Sequence, residues 1–233
     1  MTKVNVDIKK LLEAGAHFGH KTSRWNPQMA KYIHSKKNGI HIIDLVETVN
    51  CLNSALDFVE EISSQGKQIL LVGTKVQARS IIIDMAQKTK MPYVVNRWLG
   101  GTLTNRSTIS DRVKYLKDLE AKMASGELTN KYNKLEVQRF QEEITEMNHI
   151  YGGIKEMNDR PGAIFITDVI KDSIAVKEAN KLKIPIIAIV DSNADPTKIT
   201  YPIPANDDAI KTISLICEYM EQAINFGQSK IKS

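Results

Sequence analysis

The chain has only two cysteines in 233 residues, Cys51 and Cys217, and neither stands in a CxxC pair or at a zinc-ligand spacing. A disulfide framework and a zinc finger are therefore excluded, and both thiols, set in apolar helical patterns far apart, read as reduced core residues. Long apolar runs are missing as well. No window approaches the ~18 apolar residues of a membrane span, and the opening stretch is charged and amphipathic, without the apolar centre of a signal peptide. These absences predict a cytosolic protein with no membrane segment. Catalytic signatures are also lacking: there is no GxGxxG after a strand, no Walker loop, no GxSxG elbow and no HExxH. Phosphate cradling, nucleophilic catalysis and zinc hydrolysis each lose their minimum sequence support. Internal repeats and low-complexity tracts are absent too.

Acidic residues are scarce at one end. Residues 1–40 carry eight Lys or Arg against two acids, a charge of +6, while the whole chain is only +5, so everything after residue 40 sums to −1. Four of the five histidines, His17, His20, His34 and His41, lie at or beside this basic end. A concentrated positive field is what contact with a polyanion requires.

Short apolar runs at 68–72, 93–95, 163–166, 186–190 and 201–203 alternate with helical patterns. Between them, Val49, Leu52, Leu56, Val59 and Ile62 keep the three-and-four spacing of one helix face, opened by Asp44 with Glu47 as a capping box and closed at Gly66. Similar patterns predict helices over 76–88, 172–182 and 206–226. Strand–helix alternation predicts a parallel sheet with crossovers on both faces, hence a doubly wound three-layer α/β sandwich. About 65 residues separate the second run from the third, far more than a crossover needs, so an insertion is expected. Within it Ile109, Val113, Leu116 and Met123 form one stripe; Val137, Phe140, Ile144, Met147, Tyr151 and Ile154 form another at coiled-coil spacing. A polar break over 125–130 between them predicts an antiparallel helical hairpin, and a 25-residue helix would reach roughly 37 Å, beyond the sheet. The expected organisation is a basic segment at 1–45, a core domain at 46–105 and 159–227, the hairpin insertion at 106–158, and a frayed tail at 228–233. The basic segment should hold a short helix near 7–14 and strands at 31–35 and 40–43, joined by a tight turn that presents Lys36 and Lys37. It has few apolar residues to bury, and the sequence leaves open whether it orders before a polyanion is present.

Three sets of residues offer chemistry. Gly73, Thr74, Lys75, Asn96, Arg97, Asp168 and Asp191 would ring the carboxyl ends of the strands, where doubly wound sheets bind ligands. Gly100, Gly101 and Thr102 could bring backbone N–H groups to a phosphate. His17 and His20 with Asp191, Asp207 and Asp208 could gather around a divalent metal, although Asn206 as an N-cap with two acids in the first helical turn needs no ion. The third set is Lys21, Arg24, Trp25, Lys31, Lys36 and Lys37, continued by Arg97, Trp98 and Arg106. Cations neutralise phosphates and aromatic planes stack on unpaired bases, the combination that holds irregular RNA, though both tryptophans would equally serve buried against the sheet. On the hairpin, Arg112, Lys117, Lys122 and Lys134 mark a docking arm for protein or RNA. The alternatives are an RNA scaffold, a cytosolic enzyme acting on a phosphorylated small molecule, and a pure protein-interaction module.

The stretches at 11–20 (LLEAGAHFGH), 24–27 (RWNP), 38–44 (NGIHIID), 96–105 (NRWLGGTLTN), 152–157 (GGIKEM), 184–193 (IPIIAIVDSN) and 201–210 (YPIPANDDAI) resemble the family of small-subunit ribosomal protein two, in order over nearly the whole chain. The resemblance implies a flavodoxin-like parallel domain with a coiled-coil insertion, no enzyme activity, no cofactor and no small-molecule substrate. It implies a structural constituent of the cytoplasmic small ribosomal subunit, bound to ribosomal RNA between head and body. His17, Phe18, His20, Arg24, Trp25, Asn26, Arg97 and Trp98 match the family's RNA-facing positions. Neighbouring small-subunit proteins are implied partners, among them the large mRNA-binding ribosomal protein one, docked near the hairpin during translation. Ala205, Ser192 and Tyr151 stand where the family usually has Gly, Thr and Leu.

Overall fold

In the computed structural model, residues 4–157 and 159–231 are described. Five parallel strands form the central sheet: β4 (Ile69–Val72), β5 (Tyr93–Val94), β6 (Ala163–Ile166), β7 (Ile186–Val190) and β8 (Tyr201–Pro204), in the order β5-β4-β6-β7-β8. Counted within this sheet the order is 2-1-3-4-5, the doubly wound arrangement with its switch between β4 and β6. Strand side chains alternate between two apolar layers. Ile69, Leu71, Phe165, Ile187 and Ile189 face one layer; Leu70, Val72, Ile164, Ile166, Ile186 and Val190 face the other. All are fully buried, which explains why these strands read as continuous apolar runs.

The first layer is built by helices α2 (Leu45–Ser64), α3 (Val76–Thr89) and α8 (Ile210–Ile231), with the short α1 (Ile8–Ala14) against α2 and α8. Asp44 caps α2 by accepting from the Val46 N–H at 2.8 Å. The second layer has one core helix, α7 (Ser173–Lys181). The rest of that face is covered by irregular chain: Met29 and Tyr32 from a 3-10 turn, Trp98 and Leu103 from the loop after β5, and Ile154.

Two helix boundaries differ from expectation. Helix α8 begins at Ile210, because the Asn206 carboxamide oxygen accepts from the N–H groups of Asp208 and Ala209 and holds that stretch as a turn. Asp207 and Asp208 therefore precede the helix instead of forming its first turn. At the other end α8 runs on through Ile231, so residues 228–231 are helical and not frayed: Gln228 donates to the Thr89 carbonyl at 3.0 Å and Lys230 pairs with Glu60. Residues 232 and 233 of the expected tail lie outside the described residues.

The long connection between β5 and β6 carries α4 (Arg106–Ala124), α5 (Glu127–Lys131) and α6 (Lys134–Tyr151). Lys117 pairs with Glu156 while Glu120 bonds Asn148 and Lys155, so α6 runs back along α4. Leu116, Leu119, Leu128, Ile144 and Met147 form a small buried cluster separate from the two layers of the sheet. The polar break is not a simple turn: α5 occupies it and drives Leu128 into that cluster. With 19 and 18 residues, α4 and α6 are each about 28 Å long at 1.5 Å per residue, shorter than a 25-residue helix.

Candidate nucleic-acid interface

The basic segment forms a small sheet of its own. Strands β1 (Phe18–Lys21), β2 (Ile33–Lys37) and β3 (Ile40–Ile43) make an antiparallel sheet in the order β1-β3-β2. Asn38 and Gly39, at φ 51° and 74°, form a two-residue turn between β2 and β3, the conformation that matches strand twist and that Asn-Gly favours. Lys21 and Lys37 both pair with Ile40, from opposite sides, so three residues stand in one row across the sheet. At ~4.8 Å between strands the two lysines are roughly 10 Å apart on one face. Lys36 pairs with His41 on the other face, where Trp25 lies over the His41 ring at 5.1 Å.

What holds this sheet is a set of bonds to the ends of β7 and β8. The Asn26 N–H donates to the Ser192 carbonyl at 2.8 Å, the His20 N–H to Ser192 Oγ at 2.8 Å, and the Asn206 N–H to the Ala16 carbonyl at 3.0 Å. The Asn206 side chain also donates to the Phe18 carbonyl at 2.5 Å. Gly19 is required at the closest approach, since a Cβ there would sit 2.7 Å from Ser192 Oγ and 3.1 Å from the His41 carbonyl. Too few apolar residues are present for an independent core, and the segment borrows the core of the α/β domain through Met29, Tyr32 and these bonds.

On this sheet and its flanks Lys21, Arg24, Lys31, Lys36 and Lys37 are exposed, as is Arg97 in the loop after β5. None of the six is ion-paired among the described residues. Lys31 lies over the Tyr32 ring at 4.7 Å. Phe18 is 51% and Trp25 37% exposed, so two aromatic faces accompany the cations. His17 is half-buried against Phe18, and burial lowers its pKa. Asn26 caps the 3-10 turn by accepting from the Gln28 N–H at 2.9 Å.

Trp98 departs from the stacking role considered for it. It is only 6% exposed, packs in the layer with Met29 and Tyr32, and donates its ring N–H to Glu178 Oε1 at 3.1 Å. Its part is to buttress. Arg106 lies at the root of the helical hairpin, beside a cavity of about 150 Å³ that Thr102, Ser110 and Lys117 also line. Of the hairpin cations, Lys117 pairs with Glu156 at 2.9 Å and Lys122 with Asp118 at 2.7 Å; Arg112 and Lys134 are exposed or nearly so at the surface.

The strand-end residues do come together, but as a closed ionic cluster. Lys75 Nζ lies 3.1 Å from Asp168, 2.8 Å from Asp207 and 2.7 Å from Asp208. Thr74 Oγ1 donates to Asp172 at 2.7 Å, and His20 Nδ1 sits 3.1 Å from Asp191. Burial works against the Lys75 charge, yet the hydrogen bonds to Asp207 and Asp208 outweigh it and raise the pKa. Burial, reinforced by Asp168 and Asp191, pushes Asp207 up to about 7, and the hydrogen bond to Asp191 raises His20. His20, Asp191 and Asp207 offer ligand atoms within 4.8 Å of one another, with Asp208 3.6 Å from His20 Nε2, so the metal candidates are gathered in one place. Asp207 and Asp208 are arranged around the Lys75 ammonium, and Asp191 faces His20. The glycine turn after Trp98 is likewise occupied: its N–H groups point at the Glu178 carboxylate.

The family described as ribosomal protein S2 matches residues 11–227. This chain belongs to the ribosomal protein S2 family. Relatives named small ribosomal subunit protein uS2 include one from Roseiflexus sp. (strain RS-1), 49% identical over 98% of this chain and 87% of its own length. Another, from Dehalococcoides mccartyi, is 46% identical over 97% of this chain and 92% of its own. One from Fusobacterium nucleatum is 45% identical over 98% and 92%. As an S2-family member the chain is a ribosomal protein and not an enzyme, and the parallel α/β sandwich is that family's fold. Among the described residues no helix is long and apolar enough to cross a membrane.

Residue patterns alone missed several members of the S2 site. Ser192 and Asn206 dock the N-terminal sheet, and Glu178 holds the loop of Arg97 and Trp98. A lone Ser, Asn or Glu at the end of an apolar run carries no periodic signal. Strand β1 was missed because four residues with half-exposed faces do not alternate in polarity.

Proposed function

We propose that this chain is a structural constituent of the cytoplasmic small ribosomal subunit, seated between head and body, whose N-terminal sheet binds ribosomal RNA. The observation that carries the reading is the row of exposed, unpaired cations with exposed Phe18 and Trp25 on a sheet docked firmly to the domain. Lys75, Lys117, Lys155 and Lys230 are matched to acids; among the described residues these cations are not. Lys and Arg at Lys21, Arg24, Lys31, Lys36, Lys37 and Arg97 would neutralise phosphates, with Arg106 nearer the hairpin. Phe18 and Trp25 offer faces to unstacked bases, and His17, His20 and Asn26 hold the chain that presents them. The relatives' names support the subunit; the charge pattern supports the RNA. The helical hairpin, through Arg112, Lys117, Lys122 and Lys134, and the surface beside it support neighbouring small-subunit proteins, including the mRNA-binding ribosomal protein one. The role calls for no cofactor and no small-molecule substrate.

The test is binding to small-subunit particles lacking this protein, across a salt series, beside a variant neutralised at Lys21, Arg24, Lys36 and Lys37. Saturable binding with a steep salt dependence that becomes shallower in the variant is expected. Equal slopes for the two proteins would remove the N-terminal sheet from the RNA contact.

A further inference from the structure

The face of the sheet toward α7 is thinly covered, by one nine-residue helix and irregular chain, so the loop from Trp98 to Asn105 must serve as core wall and hairpin root together. Such a loop has many backbone groups and few apolar ones. Its order depends on where those groups are satisfied. Three of its N–H groups converge on one acceptor: Gly101 donates to Glu178 Oε1 at 2.7 Å, and Leu103 and Thr104 donate to Oε2 at 3.0 and 3.1 Å. The Trp98 ring N–H and the Thr104 hydroxyl complete the set, each at 3.1 Å. Five donors on one buried carboxylate exceed what packing a glutamate requires, and bonds to a charged acceptor are stronger than neutral ones. Gly101, at φ 93°, gives the turn the concave shape in which successive N–H groups bind an anion. The carboxylate also ends two residues short of α4, on the side where a helix favours negative charge.

The geometry assigns Glu178 as the positioning residue of the hairpin: an internal anion, carried by α7, that fills the loop's anion pocket, fixes the root of α4 and so sets where Arg97 and Arg106 are presented. Other ties share the root: Ile109, Tyr151 and Ile154 pack in the layer of Trp98 and Leu103. Asn96 donates to the His149 carbonyl at 2.6 Å, and Gly153 packs on Tyr93. The hairpin's own apolar cluster joins the sheet's layer through Tyr151, a non-directional contact, whereas the bonds to Glu178 fix direction. The positioning role itself stands on contacts within this chain; its consequence for binding rests on the proposed RNA-contact reading.

The experiment uses the full chain with Glu178→Ala and Glu178→Gln. The two indole N–H resonances of the protein, assigned with Trp25→Phe, report the Trp98 bond directly, and amide exchange reports the loop. In E178A, exchange of residues 99–109 should rise at least tenfold while the amides of α2 and β7 keep their rates, with E178Q in between. Formate, a carboxylate small enough for the emptied pocket, should slow that exchange again in E178A and return the Trp98 signal toward its original position. Binding to small-subunit particles lacking this protein should weaken several-fold in E178A and recover with formate in parallel. Unchanged loop exchange in E178A, or formate without effect, overturns the assignment, and so does loosening of α2 and β7 equal to that of the loop, which would make Glu178 a general packing residue. If E178A does not fold, the same comparison is made on E178Q through the Trp98 signal. Should the loop respond as described while even the unaltered protein binds no particle, the assignment holds and the RNA reading falls.

Discussion

Lys75 and Lys37 stand at opposite limits of what a lysine can do in one fold. Lys75, 12% exposed, is surrounded by three carboxylates within 3.1 Å and has nothing left to offer a ligand. Lys37 stands exposed at the end of β2, and no acid neutralises it among the described residues. The first lies where doubly wound sheets ordinarily bind ligands, the second on an appendage to that sheet. The contrast shows an α/β scaffold whose strand ends are closed by its own side chains while unpaired positive charge stands on an appended sheet. The strand ends are consumed by internal pairing and covered by the N-terminal sheet, and the positive charge that could meet a partner is displayed on the sheet that does the covering.

The sharpest way to break this contrast is to remove the saturated cation. Lys75→Met leaves Asp168, Asp207 and Asp208 without their counter-charge, and unmatched buried charge costs about 3–5 kcal/mol. Urea unfolding at pH 8 should show that loss, shrinking toward pH 5 as the cluster protonates. Lys36→Ala, by contrast, should stay within about 0.5 kcal/mol. Similar stabilities for the two variants at pH 8 would deny the cluster its structural role.

A second measurement follows the protons of the same cluster. Asp207 has a native pKa raised to about 7, by burial and by Asp168 and Asp191, against an ordinary value of 3.8. The native state therefore resists its ionisation, and stability from this group falls as pH rises from about 4 to 7 and is level above. His20, also raised, adds stability below its ordinary pKa that is lost above its native one. Glu120 and Asp208, held low by Lys155 and Lys75 respectively, act in the opposite sense and lose stability only in acid. In Asp207→Asn the decline between pH 4 and 7 should flatten by up to a few kcal/mol. An unaltered profile would mean that another group carries the proton.

Much of the fold was legible because each core strand is buried on both sides. Leu71, Phe165 and Ile189 had no polar neighbours to obscure them, and the excess length before Ala163 left room for the helices α4 to α6. The asymmetric charge likewise marked the N-terminal region. Tertiary pairing was not legible. Asp207 and Asp208 carry the same pattern whether they complement a helix start or bind Lys75, which lies 132 residues before Asp207, and only the contact between the segments that follow β4 and β8 decides it. Glu178 reads as one polar residue on an amphipathic helix, and nothing local shows that five donors await it. Trp98 and Trp25 have the same basic neighbours in sequence, yet one fills the wall of the core and the other is open.

That divergence between the tryptophans sharpens the comparison on the exposed side. Neutralising Lys21, Arg24, Lys36 and Lys37 together should leave stability within about 1 kcal/mol and lower the salt slope of particle binding by roughly 3, from four lost phosphate contacts. Trp25→Ala should weaken binding by about 1–3 kcal/mol without changing the slope, since stacking on a base releases no counterion. A slope change in Trp25→Ala would point to rearrangement of the cations beneath it.

The smallest expected effect is the most discriminating, because it compares two exposed lysines, one with an acidic partner and one without. Lys117 on α4 is 44% exposed and bonded to Glu156 at 2.9 Å; Lys37 is exposed and unpaired. Screening by solvent makes the Lys117 pair worth less than about 1 kcal/mol, so Lys117→Ala should barely move the unfolding midpoint. If pairing governs which cations meet RNA, Lys117→Ala should also leave the salt slope of particle binding unchanged, while Lys37→Ala lowers it by about 0.7–0.9. Equal slope changes would show that RNA competes Glu156 away from Lys117, and position on the subunit, rather than internal pairing, would then be what selects the cations that bind.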